Sequence, residues 1–110
     1  MPFTNLTDLT PKELAPGYTA RLIHTDHLTI SHVSVVAGAP LPQHAHPHEQ
    51  VANIIEGEFE LTVGGETRVL HAGAVAVIPS NVPHSGKALT KCYIVDVFCP
   101  VREDLRKQSG

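Results

Sequence analysis

The chain carries eight histidines among its 110 residues, beside two tyrosines, three phenylalanines and no tryptophan. Two of them stand close together in His44-Ala45-His46. In an extended backbone that spacing turns both rings to one face and makes a pair of metal donors. Pro40, Pro42 and Pro47 bracket the pair and restrict the backbone, which lowers the entropy cost of holding the rings in place. A cation of intermediate softness needs further donors from a second segment. His84, in Pro83-His84-Ser85-Gly86, is the candidate third imidazole, and His48, Glu49 and Gln50 compete for the remaining position. Taken alone, a His-x-His in a polar segment is more often a surface feature than a metal site. His24, His27, His32 and His71 have no partner spacing and read as ordinary strand or turn residues.

A second chemical feature lies near the C-terminus. In Lys91–Phe98, Cys92, Ile94, Asp96 and Phe98 share one parity, while Tyr93, Val95 and Val97 share the other. Asp96 therefore stands among apolar neighbours in a strand that reads as covered on both sides. Burial raises the pKa of a carboxyl group and suits it to proton transfer near neutrality, whereas a nearby metal or Arg102 pulls it back down. A buried aspartate that caps a backbone or pairs with an arginine fits the same pattern, and both readings stay open at this point.

The segments that must position these residues read mostly as β-structure. Short runs of Val, Ile, Leu and Thr are divided by Gly or Pro at intervals of about ten residues. Strands are expected near Tyr18–Thr25, Leu28–Val36, Val51–Ile55, Glu58–Val63, Thr67–Leu70, Ala74–Ile78, His84–Ala88 and Lys91–Phe98. Phe59, Leu61 and Val63 alternate with Glu58, Glu60 and Thr62, and Gly64-Gly65 suits a tight hairpin turn. The alternation slips in Leu28–Val36, where Leu28 and Ile30 share one parity and Val33 and Val35 the other; a bulge or a doubly covered strand is expected there. Thr10-Pro11-Lys12-Glu13 reads as a helix start closed by Pro16-Gly17, and Val101–Lys107 as one or two helical turns with Val101 and Leu105 on one face.

Hydrophobic residues make up 42% of the chain and charged residues 17%, which fits one globular domain over residues 1–110. Eight Lys and Arg face eleven Asp and Glu for a net charge of −3, with no basic run, which excludes nucleic acid and anionic membrane as main partners. No apolar stretch approaches the ~20 residues of a membrane span, and the N-terminus has no signal-peptide pattern. Cys92 and Cys99 in one strand would sit about 23 Å apart, beyond disulfide reach. A reduced pair points to the cytoplasm.

The glycines, read with the histidines, carry a resemblance. Gly38, His44-x-His46, Gln50 and Gly57 resemble the first signature of the cupin superfamily, and Gly73, Pro79-x-Asn81 and His84 resemble the second. Three departures stand out. The first signature usually has Glu where Gln50 stands; the second usually has Gly at Asn81 and ends in Asn where Ala88 stands. Asn81 tolerates the left-handed conformation that Gly would supply, and Ala88 replaces a residue that is not a ligand.

The resemblance implies an all-β fold, a single cupin domain built as a double-stranded β-helix or jelly-roll barrel, with its core over about residues 18–99 and short helical turns at the termini. It implies one divalent transition metal per chain (Zn, Ni, Mn or Fe) held by His44, His46, Gln50 and His84. A neutral Gln50 leaves the 2+ charge of such an ion uncancelled, so the site should attract an anion and act as a stronger Lewis acid. Glu49 is the rival fourth ligand, on the opposite strand face.

A narrower resemblance joins His44-Ala45-His46-Pro47-His48-Glu49-Gln50, the Gly57–Val69 hairpin, Pro79-x-Asn81-Val82-Pro83-His84 and Asp96–Asp104. Together they are similar to the small cupins of pectin and alginate degradation, which open the ring of 4,5-unsaturated uronates. It implies a small anionic substrate and an isomerase in which Asp96 moves the proton, Arg102 pairs with the carboxylate and Phe98 walls the sugar face. Two other classes remain: an oxidative, dioxygenase-like cupin using Fe, Cu or Ni, which must consume oxygen, and a non-enzymatic barrel that binds its metabolite and returns it unchanged. Small cupins often pair through their outer strands, and the doubly apolar character of Lys91–Phe98 and of Leu28–Val36 leads us to expect a homodimer.

Overall fold

The computed structural model describes residues 2–109. A 3-10 turn at Leu6–Asp8 precedes ten strands: β1 (Lys12–Ala15), β2 (Tyr18–His24), β3 (Thr29–Val35), β4 (Pro40–His44), β5 (Glu49–Glu56), β6 (Phe59–Val63), β7 (Glu66–Leu70), β8 (Val75–Ile78), β9 (His84–Ala88) and β10 (Cys92–Cys99). Helix α1 (Glu103–Ser109) follows them. One antiparallel sheet has the order β1-β2-β3-β10-β5-β8 and the other β4-β9-β6-β7. The first sheet joins strands far apart in the chain, because β10 lies between β3 and β5. The result is the all-β, two-sheet jelly roll that the resemblance implied, and all eight expected strands are present within two residues of their expected ends.

Three local expectations are corrected. Lys12–Ala15 is a strand, not a helix start; it pairs with β2, and Pro16-Gly17 form the hairpin turn between them. A helix of a few residues ahead of Pro-Gly has too few hydrogen bonds to offset nucleation, whereas the free edge of β2 supplies partners at once. The N-terminal helical turn lies earlier, at Leu6–Asp8. Strand β4 was not expected, because Pro40 and Pro42 argue against a sheet interior; it is an edge strand, the place where proline is tolerated. Nor does β3 carry a bulge, since it pairs in unbroken register with both β2 and β10. Its alternation slips because Thr29 and Ser31 point inward and are buried, while Ile30 faces outward.

Those two polar residues belong to an ordered inner face. Across the large sheet, one register row reads His24, Thr29, Phe98, Gln50 and Ile78, and the next Leu22, Ser31, Asp96, Ala52 and Ala76. A third reads Ala20, Val33, Ile94 and Ile54. The barrel interior thus passes from polar at one mouth to apolar in its depth. The opposing sheet contributes Phe59 and Leu61 from the expected hairpin, whose turn glycines both take positive φ, 55° at Gly64 and 89° at Gly65. Gly86 of β9 leaves the space filled by the Phe59 ring, which a β-carbon there would strike. Leu105 of α1 is buried in the core, so the expected C-terminal turns form and dock. Among the described residues, no helix is long and apolar enough to cross a membrane. Cys92 is buried and Cys99 exposed, at opposite ends of β10.

At the apolar end Tyr18 is buried, packs edge-on to Phe59 and donates its hydroxyl to the Ala39 carbonyl at 3.0 Å. Burial pushes its pKa up from 10.0 to about 12. A phenol raised in the fold contributes stability that is complete below pH 10 and lost as pH climbs toward 12. The expected loss is on the order of 2 kcal/mol. Urea unfolding of the wild type and Tyr18→Phe across this alkaline range checks it: the variant should lack most of the slope.

Candidate metal centre and substrate cavity

His44 is the last residue of β4 and lies opposite His84, the first of β9. His46 follows in the loop to β5, so strand periodicity alone does not align it with His44 as expected. That loop is tied down instead: its His46 carbonyl accepts the Asn81 N–H at 2.8 Å, and Ser80 Oγ donates to the Pro47 carbonyl. Asn81 does adopt the left-handed conformation, with φ 64°.

One ring nitrogen from each of His44, His46 and His84 lies within 4.8 Å of the others. Each Nδ1 faces a backbone carbonyl: His44 that of Pro42 at 2.9 Å, His46 that of His48 at 3.0 Å, and His84 that of Val82 at 3.0 Å. A carbonyl only accepts, so each Nδ1 carries the proton and each Nε2 presents a lone pair. His84 is 2% exposed, and its Nε2 has no hydrogen-bond partner. Burial holds the pKa of His46 and of His84 below the ordinary imidazole value, which favours the neutral, ligating form.

Gln50 joins this group from the opposite sheet. Its Nε2 donates to Asp96 Oδ1 at 3.0 Å, which turns Oε1 to within 3.1 Å of His46 Nε2. Two lone-pair atoms then face each other without a proton between them. That contact is unfavourable alone and is what two donors on one cation look like, since neighbouring donors in a shell of ~2.1 Å bonds lie about 3 Å apart. The orphaned His84 nitrogen and this acceptor pair fit a divalent metal held by three imidazoles and an amide oxygen. Glu49 is exposed and faces the other way from Gln50, which removes it as the rival fourth donor. His48, the other competitor for that position, is half-buried, and its carbonyl orients His46.

The centre opens onto a cavity of about 340 Å³. Tyr18, Val33, Ile54, Phe59, Leu61 and Ile94 line its depth, and Asp96 is its only carboxylate among the described residues. Burial raises the Asp96 pKa to about 6, against the opposing pull of the Gln50 hydrogen bond and the Arg102 charge. The Phe98 ring lies 5.7 Å from that of His46, and the Arg102 guanidinium lies over the Phe98 ring, 4.7 Å from its centroid. The structure therefore brings together all seven residues singled out above: His44, His46, Gln50, His84, Asp96, Phe98 and Arg102. The fork of Arg102 is already engaged, through Nε and Nη2, by Asp104.

Sequence reasoning assigned no role to Thr29 or Asp104. The parity that Thr29 shares with Val33 and Val35, and the Arg-x-Asp spacing of Arg102 and Asp104, were the signals that could have found them. Both signals were too short-ranged to show what they support.

A family model described as "Cupin domain" matches residues 31–98, more than half of the chain. A pectin degradation protein named KdgF, from Dickeya dadantii, is 32% identical over 103 residues, covering 90% of this chain and 94% of that protein. The solved structure of an RmlC-like cupin from Shewanella frigidimarina superposes with a TM-score of 0.89 at 29% identity, covering 96% of each chain. The structure of KdgF from a Halomonas species gives 0.87 at 29% identity, covering 94% of this chain and 96% of that one.

Proposed function

This chain belongs to the cupin family, and from that premise we propose that it opens the ring of a 4,5-unsaturated uronate to the linear keto acid. The observation that carries the reading is the convergence of three imidazoles on one point, beside Arg102 and a single carboxyl group, at the mouth of a cavity whose depth is apolar. Similarity to KdgF, a pectin degradation protein, supports a substrate of this class.

The reaction is an isomerisation. The hemiacetal hydroxyl loses its proton, the C1–O5 bond breaks to leave an aldehyde and an enolate, and a proton delivered to C4 turns the enolate into a ketone. His44, His46, Gln50 and His84 would hold a divalent metal, which would supply Lewis-acid polarisation there. Asp96 is the cavity's proton carrier: it stands beside Gln50, within one residue of the centre, and takes the hydroxyl proton and returns one to C4. Arg102 offers a fixed positive charge to the substrate carboxylate. Phe98 supports that guanidinium from below and keeps water from one side of the site. Nothing in the sequence of steps changes oxidation state.

Purified protein should speed the loss of ultraviolet absorbance of an unsaturated uronate without consuming oxygen. Oxygen uptake during turnover would make it an oxidative cupin, and tight binding with the uronate recovered unchanged would make it a binding protein; either result overturns the proposal.

The protein also pairs with a second copy in this reading. The outer face of the large sheet exposes Ile55, Val75 and Val77 beside the half-buried Val51, Val95 and Val97. Light scattering at micromolar concentration should give twice the 11.8 kDa chain mass, and a monomeric mass would refute the pairing.

A further inference from the structure

Arg102 is held at two points. Its backbone N–H donates to Thr29 Oγ1 at 2.8 Å, across the inner row of the large sheet. Thr29 is 0% exposed, and its hydroxyl is also hydrogen-bonded to His24 Nδ1 at 2.8 Å. At the far end of the side chain, Nε and Nη2 donate to the two carboxylate oxygens of Asp104, at 3.1 and 2.8 Å. Between these anchors the side chain is 15% exposed and rests on Phe98.

This arrangement has a direction. The Asp104 side chain is 55% exposed, so the edge of the guanidinium that it occupies is the solvent-side edge. Nη1 is left free of that pair, and Arg102 also lines the cavity. A loose arginine gives up rotamer freedom when it grips an anion. An arginine already fixed at both ends has lost that freedom before the anion arrives, so the grip is tighter.

We propose that Thr29 and Asp104 are positioning residues that hold Arg102 pre-aimed as the receptor for the substrate's carboxylate. Asp104 also carries a carboxylate on the same fork, and the test separates a brace from a competitor that the substrate must displace. The two roles differ in sign. Removing a brace weakens substrate binding, whereas removing a competitor strengthens it.

The experiment uses zinc-loaded protein with Thr29→Val, Thr29→Ser and Asp104→Ala. One arm follows the Arg102 Nε–H resonance in proton–nitrogen spectra and needs no turnover. The resonance should be sharp in the wild type and Thr29→Ser, and broadened by exchange in the other two variants, with zinc content unchanged in all. The second arm rests on the ring-opening function proposed above. Thr29→Val and Asp104→Ala should each raise KM for the uronate about tenfold with a smaller change in kcat. Thr29→Ser should stay within about twofold of wild type. A lower KM in Asp104→Ala, an unchanged resonance in Thr29→Val, or equal losses in Thr29→Ser and Thr29→Val would overturn the brace. If the wild type does not turn over the uronate, the proposed function fails alone, and the spectra still decide the brace.

Discussion

Replacing His44 with alanine is expected to abolish stable metal binding while leaving the fold intact. His44 is exposed at the end of an edge strand, so its loss opens no core cavity. What it removes is one of three nitrogen donors that converge within 4.8 Å. Loss of affinity on the order of a hundredfold or more is expected, since even outer groups that merely orient a ligand cost 10–100-fold. Elemental analysis after dialysis gives the direct reading. A thermal readout accompanies it: a metal that binds only the folded chain raises the melting temperature. A chelator should therefore lower the melting temperature of the loaded wild type to that of the variant and leave the variant unmoved. Full metal occupancy in His44→Ala would place the ion elsewhere and remove the centre on which the proposed chemistry depends.

The second large effect belongs to Asp96→Asn. Asparagine keeps a carbonyl oxygen that accepts from Gln50 Nε2, so Gln50 still turns its own oxygen toward His46 and the metal stays bound. What is lost is the only carboxyl group that lines the cavity among the described residues. Removal of a positioned proton carrier costs about 10²–10⁴-fold in rate. The check is a paired measurement, metal content beside the rate of absorbance loss above the spontaneous reaction. Wild-type turnover in a fully loaded Asp96→Asn protein would take the proton-transfer role away from this residue. Loss of metal together with activity would instead make Asp96 a support for Gln50.

Much of the architecture was legible because the signals that define it are local. Alternation in Phe59–Val63 and the Gly64-Gly65 turn specify a hairpin within a dozen residues. The same holds for β10, where one parity puts Cys92, Ile94, Asp96 and Phe98 on the inner face. The two histidine motifs identified three donors because ligand type is a property of the residue itself. Where local signals conflicted with a sheet edge, the edge prevailed: β1 formed in place of a helix, and β4 formed despite two prolines.

By itself, then, the sequence determined the kind of barrel, the donor types and the placement of a carboxylic acid inside it. Tertiary structure alone decided three further matters. It turned Gln50 into the cavity, with its amide oxygen beside His46, by the register of β5 against β10 and β8. It locked each imidazole into one tautomer by setting a backbone carbonyl against every Nδ1. It fastened Arg102 to a threonine more than seventy residues away. The physical reason is common to all three. Hydrophobic period and turn chemistry act over a few neighbours, whereas a side chain's aim depends on which distant strand lies beside it, and that is settled only when the two sheets close.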